Sequence, residues 1–194
     1  PGPIEVAPTK AEKEVFTVSI TLASDIVPED ISWLWYPYLP LGKLCMLSGD
    51  PGLGKTWIAL AIAAAHSRGT WPFSALGHET ASTTGATLFC ASEDGVADTI
   101  VPRLISLGAD RDRISFLNGK VDSKGDLSKI AMNEENYLLD AIGQSGAKLI
   151  IFDPFQRFLP PRTKMNEMET VSPVIQALVN VAEKAHCAIL ILGH

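Results

Sequence analysis

Cysteine is scarce in this sequence, and its spacing offers no framework. Cys45, Cys90 and Cys187 are odd in number, have no CxxC spacing and each lie in an apolar run. They read as small buried hydrophobes in a reducing, cytoplasmic compartment. Basic charge is also short: 16 Lys and Arg against 22 Asp and Glu leave a net charge of −6. That excludes a binder whose affinity rests on bulk positive charge, while leaving room for a local basic loop. Long apolar runs are missing too. The longest, Trp57–Ala65, has nine residues, against the roughly 18–20 needed to span a bilayer. The opening stretch PGPIEVAPTK has no basic start followed by an apolar segment, so no secretory signal is expected there. It does not begin with Met, which reads as a processed chain or an excised piece. There is no internal repeat and no low-complexity tract.

What is present is ordinary globular composition. The chain has 194 residues, 46% hydrophobic and 20% charged, enough to bury a core without disulfides or a structural metal. Residues 1–30 are mixed, with some alternation over Glu14–Ile20, and read as an N-terminal extension or edge strand. Trp33, Trp35, Tyr36 and Tyr38 then cluster before Pro40. This cluster reads first as an apolar clamp on the core, with a subunit contact or a base-stacking surface as alternatives.

From there apolar runs and helical periods alternate. Lys43–Ser48, Ala86–Ala91, Ile114–Leu117, Lys148–Phe152 and Cys187–Leu192 read as strands. The fourth and fifth of these are continuous enough to be buried on both faces. Residues 54–67 read as a helix stopped by Arg68-Gly69. A second is expected over Val96–Leu107, with Pro102 marking a kink or a late start. A third should run from an Asn133 cap to about Ile142, and a fourth from Ser172-Pro173 through Ala185. Strands alternating with helices imply an α/β domain whose mainly parallel sheet is covered on both faces. The chain stops at His194, where the last apolar strand ends, so residues 31–194 are expected to be a core truncated at its C-terminus.

The most specific segment is Gly49-Asp50-Pro51-Gly52-Leu53-Gly54-Lys55-Thr56, which satisfies G-x-x-x-x-G-K-[ST] between a strand and a helix. Glycines let the backbone approach a nucleotide closely, and successive N–H groups face its phosphates. The helix N-terminus adds partial positive charge. Lys55 is expected to reach the β- and γ-phosphates, and the Thr56 hydroxyl to ligate Mg²⁺. Trp57, next along, is included among the nucleotide contacts.

Asp153 ends the strand 148–152 and is placed to organise Mg²⁺ opposite Thr56, or else to cap the Asp-Pro turn. Glu93 and Asp94 follow the strand 86–91. Glu93 is the candidate to activate water, and Asp94 can cap the next helix; alternatively both are helix-start acids. His194 also ends a strand, and there either senses the γ-phosphate or is only a terminal residue. Arg157, Arg162 and Lys164 form a basic segment beyond Asp153. It is either a DNA-facing loop or a solvated surface, and Glu167 and Glu169 weaken the first reading.

With Gly49–Thr56, Ser92-Glu93-Asp94, Arg103-Leu104, Phe152-Asp153-Pro154 and Leu192-Gly193-His194 assembled, residues 31–194 resemble the RecA-like P-loop ATPases of the RepA hexameric replicative helicase type. AAA family ATPases of mobile elements belong with them, and the loop is similar to that of RadA-type recombination ATPases. The resemblance implies a RecA-like core, ATP with Mg²⁺ as cofactors, and a hexameric ring with ATP between neighbours. It implies phosphate binding by Lys55, Mg²⁺ held through Thr56 and Asp153, water activation by Glu93 and sensing by His194. A DNA motor or loader acting on single-stranded DNA is the expected function. A non-translocating ATPase switch that controls protein assembly is the alternative. A small-molecule kinase is weaker, since no acceptor site or arginine-bearing lid is evident. No guanine-reading motif occurs, which favours ATP.

Overall fold

Strand register and helix placement follow from the alternation of apolar side chains. The computed structural model describes residues 18–71, 84–164 and 167–193. Residues up to Asp30 and those from Ile31 onward form two units. In the first, Ala23–Asp25 makes a single tight turn. The alternation expected over Glu14–Ile20 falls mostly outside the described residues, and Val18–Ile20 carry no regular element.

The second unit opens with a small antiparallel pair, β1 (Trp33–Trp35) and β2 (Leu39–Pro40). Leu34 and Leu39 from this pair are buried, and Trp35 stacks on Trp71 with ring centroids 5.3 Å apart. Of the four aromatics, Trp35 therefore packs against the core, while Trp33 meets Tyr36 edge-on and Tyr38 is exposed.

Five strands then build one sheet: β3 (Leu44–Ser48), β4 (Ala86–Ala91), β5 (Ile114–Phe116), β8 (Ala147–Asp153) and β9 (Ala188–Gly193). Their order is β3-β9-β8-β4-β5, and every pairing is parallel. Between β5 and β8 the chain inserts a small hairpin, β6 (Lys120–Val121) and β7 (Leu127–Ser128).

Side chains alternate strictly across the sheet. Phe89, Leu149, Ile151, Leu190 and Leu192 enter one core, with Ala59, Leu60 and Ala63 of α1 (Lys55–Arg68) and Leu104 of α2 (Val101–Ser106). Leu88, Cys90, Ile150, Phe152 and Ile191 enter the other, with Leu138 of α3 (Glu135–Ser145) and Leu178 of α4 (Met168–Ala185). The chain moves outward from β3 to β5 using α1 and α2, then back from β5 to β9 using α3 and α4. Right-handed crossovers demand that such a reversal change the covered face.

Local chemistry explains the helix boundaries. Alanines at the α1 contact let that helix lie close to the sheet, and Gly69 closes it with a positive φ, its N–H donating to the Ala65 and His66 carbonyls. The expected kink at Pro102 takes the form of a widened turn over Val96–Ile100, followed by α2 with Pro102 in its first turn. Proline has no N–H for the α-helical bond, and the chain upstream winds wider.

Two expected starts are corrected. α3 has Glu134, not Asn133, at its N-cap position: the Glu134 carboxylate caps no helix N–H but accepts from the Ala131 N–H at 2.8 Å and from Lys120, which fixes the chain just before the first turn. α4 begins at Met168, upstream of Ser172-Pro173. There the Thr170 hydroxyl donates to the Lys164 and Glu167 carbonyls, each at 2.9 Å, and holds the first turn. Pro173 is then tolerated inside the helix, near its start. Among the described residues no helix is long and apolar enough to cross a membrane.

Candidate functional site

All five strands of the sheet point the same way, so their C-terminal ends form one edge. β9 lies between β3 and β8. A cleft at this edge is lined by Thr56, Ala91, Glu93, Asp94, Ile100 and Asp153, with a volume of about 50 Å³. Three acids from two strand ends thus surround the first turn of α1.

The loop 49–54 reaches that turn through two residues with positive φ, Gly52 at 81° and Gly54 at 80°. A side chain at either would meet open space, so backbone conformation is what requires glycine there. Leu53 is exposed at the tip of the loop. Lys55 is the first residue of α1 and folds back over the loop, its Nζ donating to the carbonyls of Gly49 at 2.7 Å and Asp50 at 2.9 Å. Those bonds hold the ammonium over the concave side of the loop, where the backbone N–H groups of a phosphate nest gather.

Thr56, one residue further, donates a hydrogen bond to the Asp153 carboxylate. Burial, above all, raises the Asp153 carboxyl above its usual range. The Thr56 bond opposes that rise, Asp94 and Glu93 add to it, and Lys55 opposes it. A hydroxyl and a carboxylate side by side are hard oxygen donors, the set that suits Mg²⁺. Among the described residues no group of three or more His, Cys, Asp or Glu is arranged to hold a metal ion. That donor set fits a cation which takes its remaining ligands from phosphate and water.

The other acids are engaged by arginines. Asp94 accepts from Arg103 Nη1 at 2.8 Å, and the same guanidinium lies 5.2 Å from the centroid of the Trp57 ring. Trp57, expected among the nucleotide contacts, is thus the stacking base for an arginine of α2. Glu93 accepts from Arg157 Nε at 3.1 Å. Arg157 sits on a short turn, Phe155–Phe158, directly after β8.

Of the remaining basic residues, Arg162 occupies an exposed turn with φ of 72°, and Lys164 pairs with Glu167 at 2.7 Å. His194 lies outside the described residues.

The sequence reading counted Ser92 and Arg103 among the residues that carry the resemblance but gave neither a role, and it did not name Gln156. Ser92 Oγ and Gln156 Oε1 are buried and have no hydrogen-bond partner among the described residues. Adjacency to Glu93 and Arg157 was the available signal for both. Arg103 could have been suspected from its place on the helix after Asp94.

A larger cavity lies elsewhere. It is about 900 Å³ and lies between β5, the β6–β7 hairpin and α3. Its lining has no partner for the loop chemistry, so size is not what marks the site here.

With the loop, the acid pair and the parallel sheet in place, comparison with known families is decisive. Residues 9–194 match the family described as an AAA domain. The chain belongs to that family. No curated protein matches it. An AAA domain of this kind is a nucleotide-binding P-loop ATPase, and the five-stranded parallel sheet with helices on both faces agrees with a RecA-like core. In this AAA domain the matched span includes both the loop and the acids that surround it.

Proposed function

We propose that this AAA domain binds Mg-ATP and hydrolyses it, and that turnover drives a DNA motor or loader of the RepA hexameric helicase type. The observation carrying the hydrolytic part is the hydrogen bond between Thr56 and Asp153, with Glu93 standing at the same cleft. Lys55 exchanges its loop carbonyls for the β- and γ-phosphates. Thr56 and Asp153 hold the divalent cation, which when bound neutralises phosphate charge. Glu93 accepts the proton of the attacking water. The new bond from water oxygen to the γ-phosphorus forms as the bond to the bridging oxygen breaks, and that oxygen leaves on ADP. His194 is proposed to sense the γ-phosphate.

Residues 31–194 are taken as the ATPase core, residues 1–30 as an extension, and neighbouring copies as a hexameric ring with ATP between them. The free thiols of Cys90 and Cys187, both raised by burial and the latter to about 12, suit a reducing cytoplasm.

The switch reading keeps one observation in its favour. Two of the three basic residues offered for DNA, Arg157 and Lys164, are already paired with glutamates. Steady-state ATP hydrolysis with and without single-stranded DNA separates the two readings. The motor reading expects stimulation and DNA-dependent retention, and unchanged turnover favours the switch. Glu93→Gln is expected to keep nucleotide binding and lose turnover. If turnover persists, Glu93 is not the base.

A further inference from the structure

Two anchors bracket the chain between β5 and the β6–β7 hairpin. The Leu117 N–H donates to the Phe89 carbonyl at 3.1 Å, and Lys120 pairs with Ser128 across the hairpin and with the Glu134 carboxylate. Between the anchors stand Asn118 and Gly119, the only Asn-Gly step in the sequence. They are not the hairpin turn, which the Asp122 N–H closes on the Asp126 carbonyl at 3.1 Å. Asn118 is exposed, and among the described residues no hydrogen bond engages its carboxamide or the Gly119 N–H.

The fold requires glycine at 119. Its φ is 144°, and a Cβ there would run into the Ser128 carbonyl oxygen. With no side chain to shield it, the Gly119 nitrogen lies open to the carboxamide one residue before. Asp94-Gly95 has the same spacing and provides the contrast. Its carboxylate accepts from Arg103 Nη1 at 2.8 Å, and an ionised carboxylate is a poor electrophile. Asn118 also lines two cavities, the one of about 900 Å³ and another of about 230 Å³ that reaches Ala91 and Ser92. The smaller one has Lys129 in its lining and no acid.

We propose that Asn118 is a site of spontaneous covalent modification, at which the side-chain amide is converted to isoaspartate through a cyclic imide. The Gly119 peptide nitrogen gives its proton to solvent base and attacks Asn118 Cγ. That C–N bond forms as the bond from Cγ to the side-chain nitrogen breaks, and the nitrogen leaves as ammonia. Water then opens the five-membered imide. Addition at Cγ restores the main chain as aspartate, and addition at the main-chain carbonyl leaves Gly119 joined through Cγ, as isoaspartate. Water is consumed, ammonia is released and nothing is oxidised or reduced. The product brings a carboxylate to a cavity wall that had only Lys129 as a charge. Its isoaspartyl form also adds one carbon to the main chain between two fixed points, which loosens the hairpin from Glu134. None of this depends on the ATPase reading.

The test is to hold the full chain for days in mildly alkaline buffer, then read its peptides by mass spectrometry and by labelling with an isoaspartyl methyltransferase. The peptide spanning Asn118 should gain the mass difference between an amide and an acid, and it should accept methyl groups. Its rate should exceed that in mildly acidic buffer and stand within a few-fold of the rate in urea. Asn118→Gln and Asn118→Ser should both abolish the labelling. Reaction in urea with protection in the folded chain overturns the site, and so does labelling of that peptide in both variants. The peptide carrying Asp94-Gly95 should stay unlabelled, and labelling there as fast as at Asn118 overturns the argument from the free amide. Asn118→Asp carries the carboxylate without the added main-chain carbon, so aged native protein should melt below this variant. Equal melting temperatures overturn the loosening of the hairpin.

Discussion

The Thr56 hydroxyl donates to the Asp153 carboxylate, joining the first turn of α1 to the end of β8 although β9 lies between β8 and the strand that leads into the loop. Two residues almost a hundred positions apart become one donor pair because every strand in the sheet runs the same way. The rise of α1 from the loop then brings its first turn over the neighbouring strand ends.

Asp153→Asn should separate stability from turnover. Burial raises the Asp153 carboxyl in the fold, so its ionised form is disfavoured there relative to the unfolded chain, and that cost is present at neutral pH. Asparagine removes the charge and can still accept from Thr56. Thermal unfolding at pH 7 is expected at a higher temperature than in the native protein. Steady-state ATP hydrolysis should fall by about a hundredfold or more, in the range seen when a preorganised electrostatic contact is removed.

Arg103→Ala should weaken the packing of α2 against the first turn of α1. It removes both the 2.8 Å contact to Asp94 and the stacking on Trp57. Because the pair is partly exposed, a loss of about 0.5–1 kcal/mol in unfolding free energy is expected. Arg103→Lys should recover only part of this, since an ammonium cannot stack as a plane. Denaturant unfolding of the two variants, alone and with Asp94→Asn, measures the coupling.

Gly54→Ala should cost about 1–2 kcal/mol, because φ of 80° is strained for any residue with a Cβ. The Cβ itself meets nothing within 4 Å, so the cost is purely conformational. Gly49→Ala is the contrast: its Cβ would make an ordinary 3.5 Å contact with Leu53 Cδ1. Chemical denaturation should find Gly49→Ala near the native value. Nucleotide titration should find Gly54→Ala the weaker binder of the two.

His66 should make the fold acid-sensitive. It is buried on α1 against Trp71 and under Gly85, and burial, first, lowers its imidazole to about 4. The folded state thus binds the proton less readily than the unfolded chain, whose histidine titrates near 6.5. Stability should be fully present above that value and be lost as pH falls from about 6.5 toward 4, by roughly 2–4 kcal/mol. Urea unfolding across that window measures it, and His66→Phe should flatten the dependence.

Most of the fold was legible because its signals are local. Ala86–Ala91 was read as a strand with the bounds it has, and the apolar runs at 148–152 and 187–192 became β8 and β9 with shifts of about a residue. Helix starts were less legible at Asn133 and Ser172, since the caps there depend on partners the local pattern does not mark. Lys120 reaches the Glu134 carboxylate from the β6–β7 hairpin, and Thr170 holds the start of α4 by bonding back to Lys164.

By itself the sequence determined the loop, its setting between a strand and a helix, and the parallel α/β class, because those follow from glycine, spacing and apolar periodicity. Only the tertiary structure decided which acid meets which partner. Arg103 goes to Asp94 and Trp57, Arg157 goes to Glu93, and Thr56 goes to Asp153. These pairings depend on strand order, and strand order places residues from distant segments at one edge with no trace in local pattern. An arginine that reads as an exposed, DNA-facing charge in one dimension is therefore, in three, the partner of the acid proposed to do the chemistry.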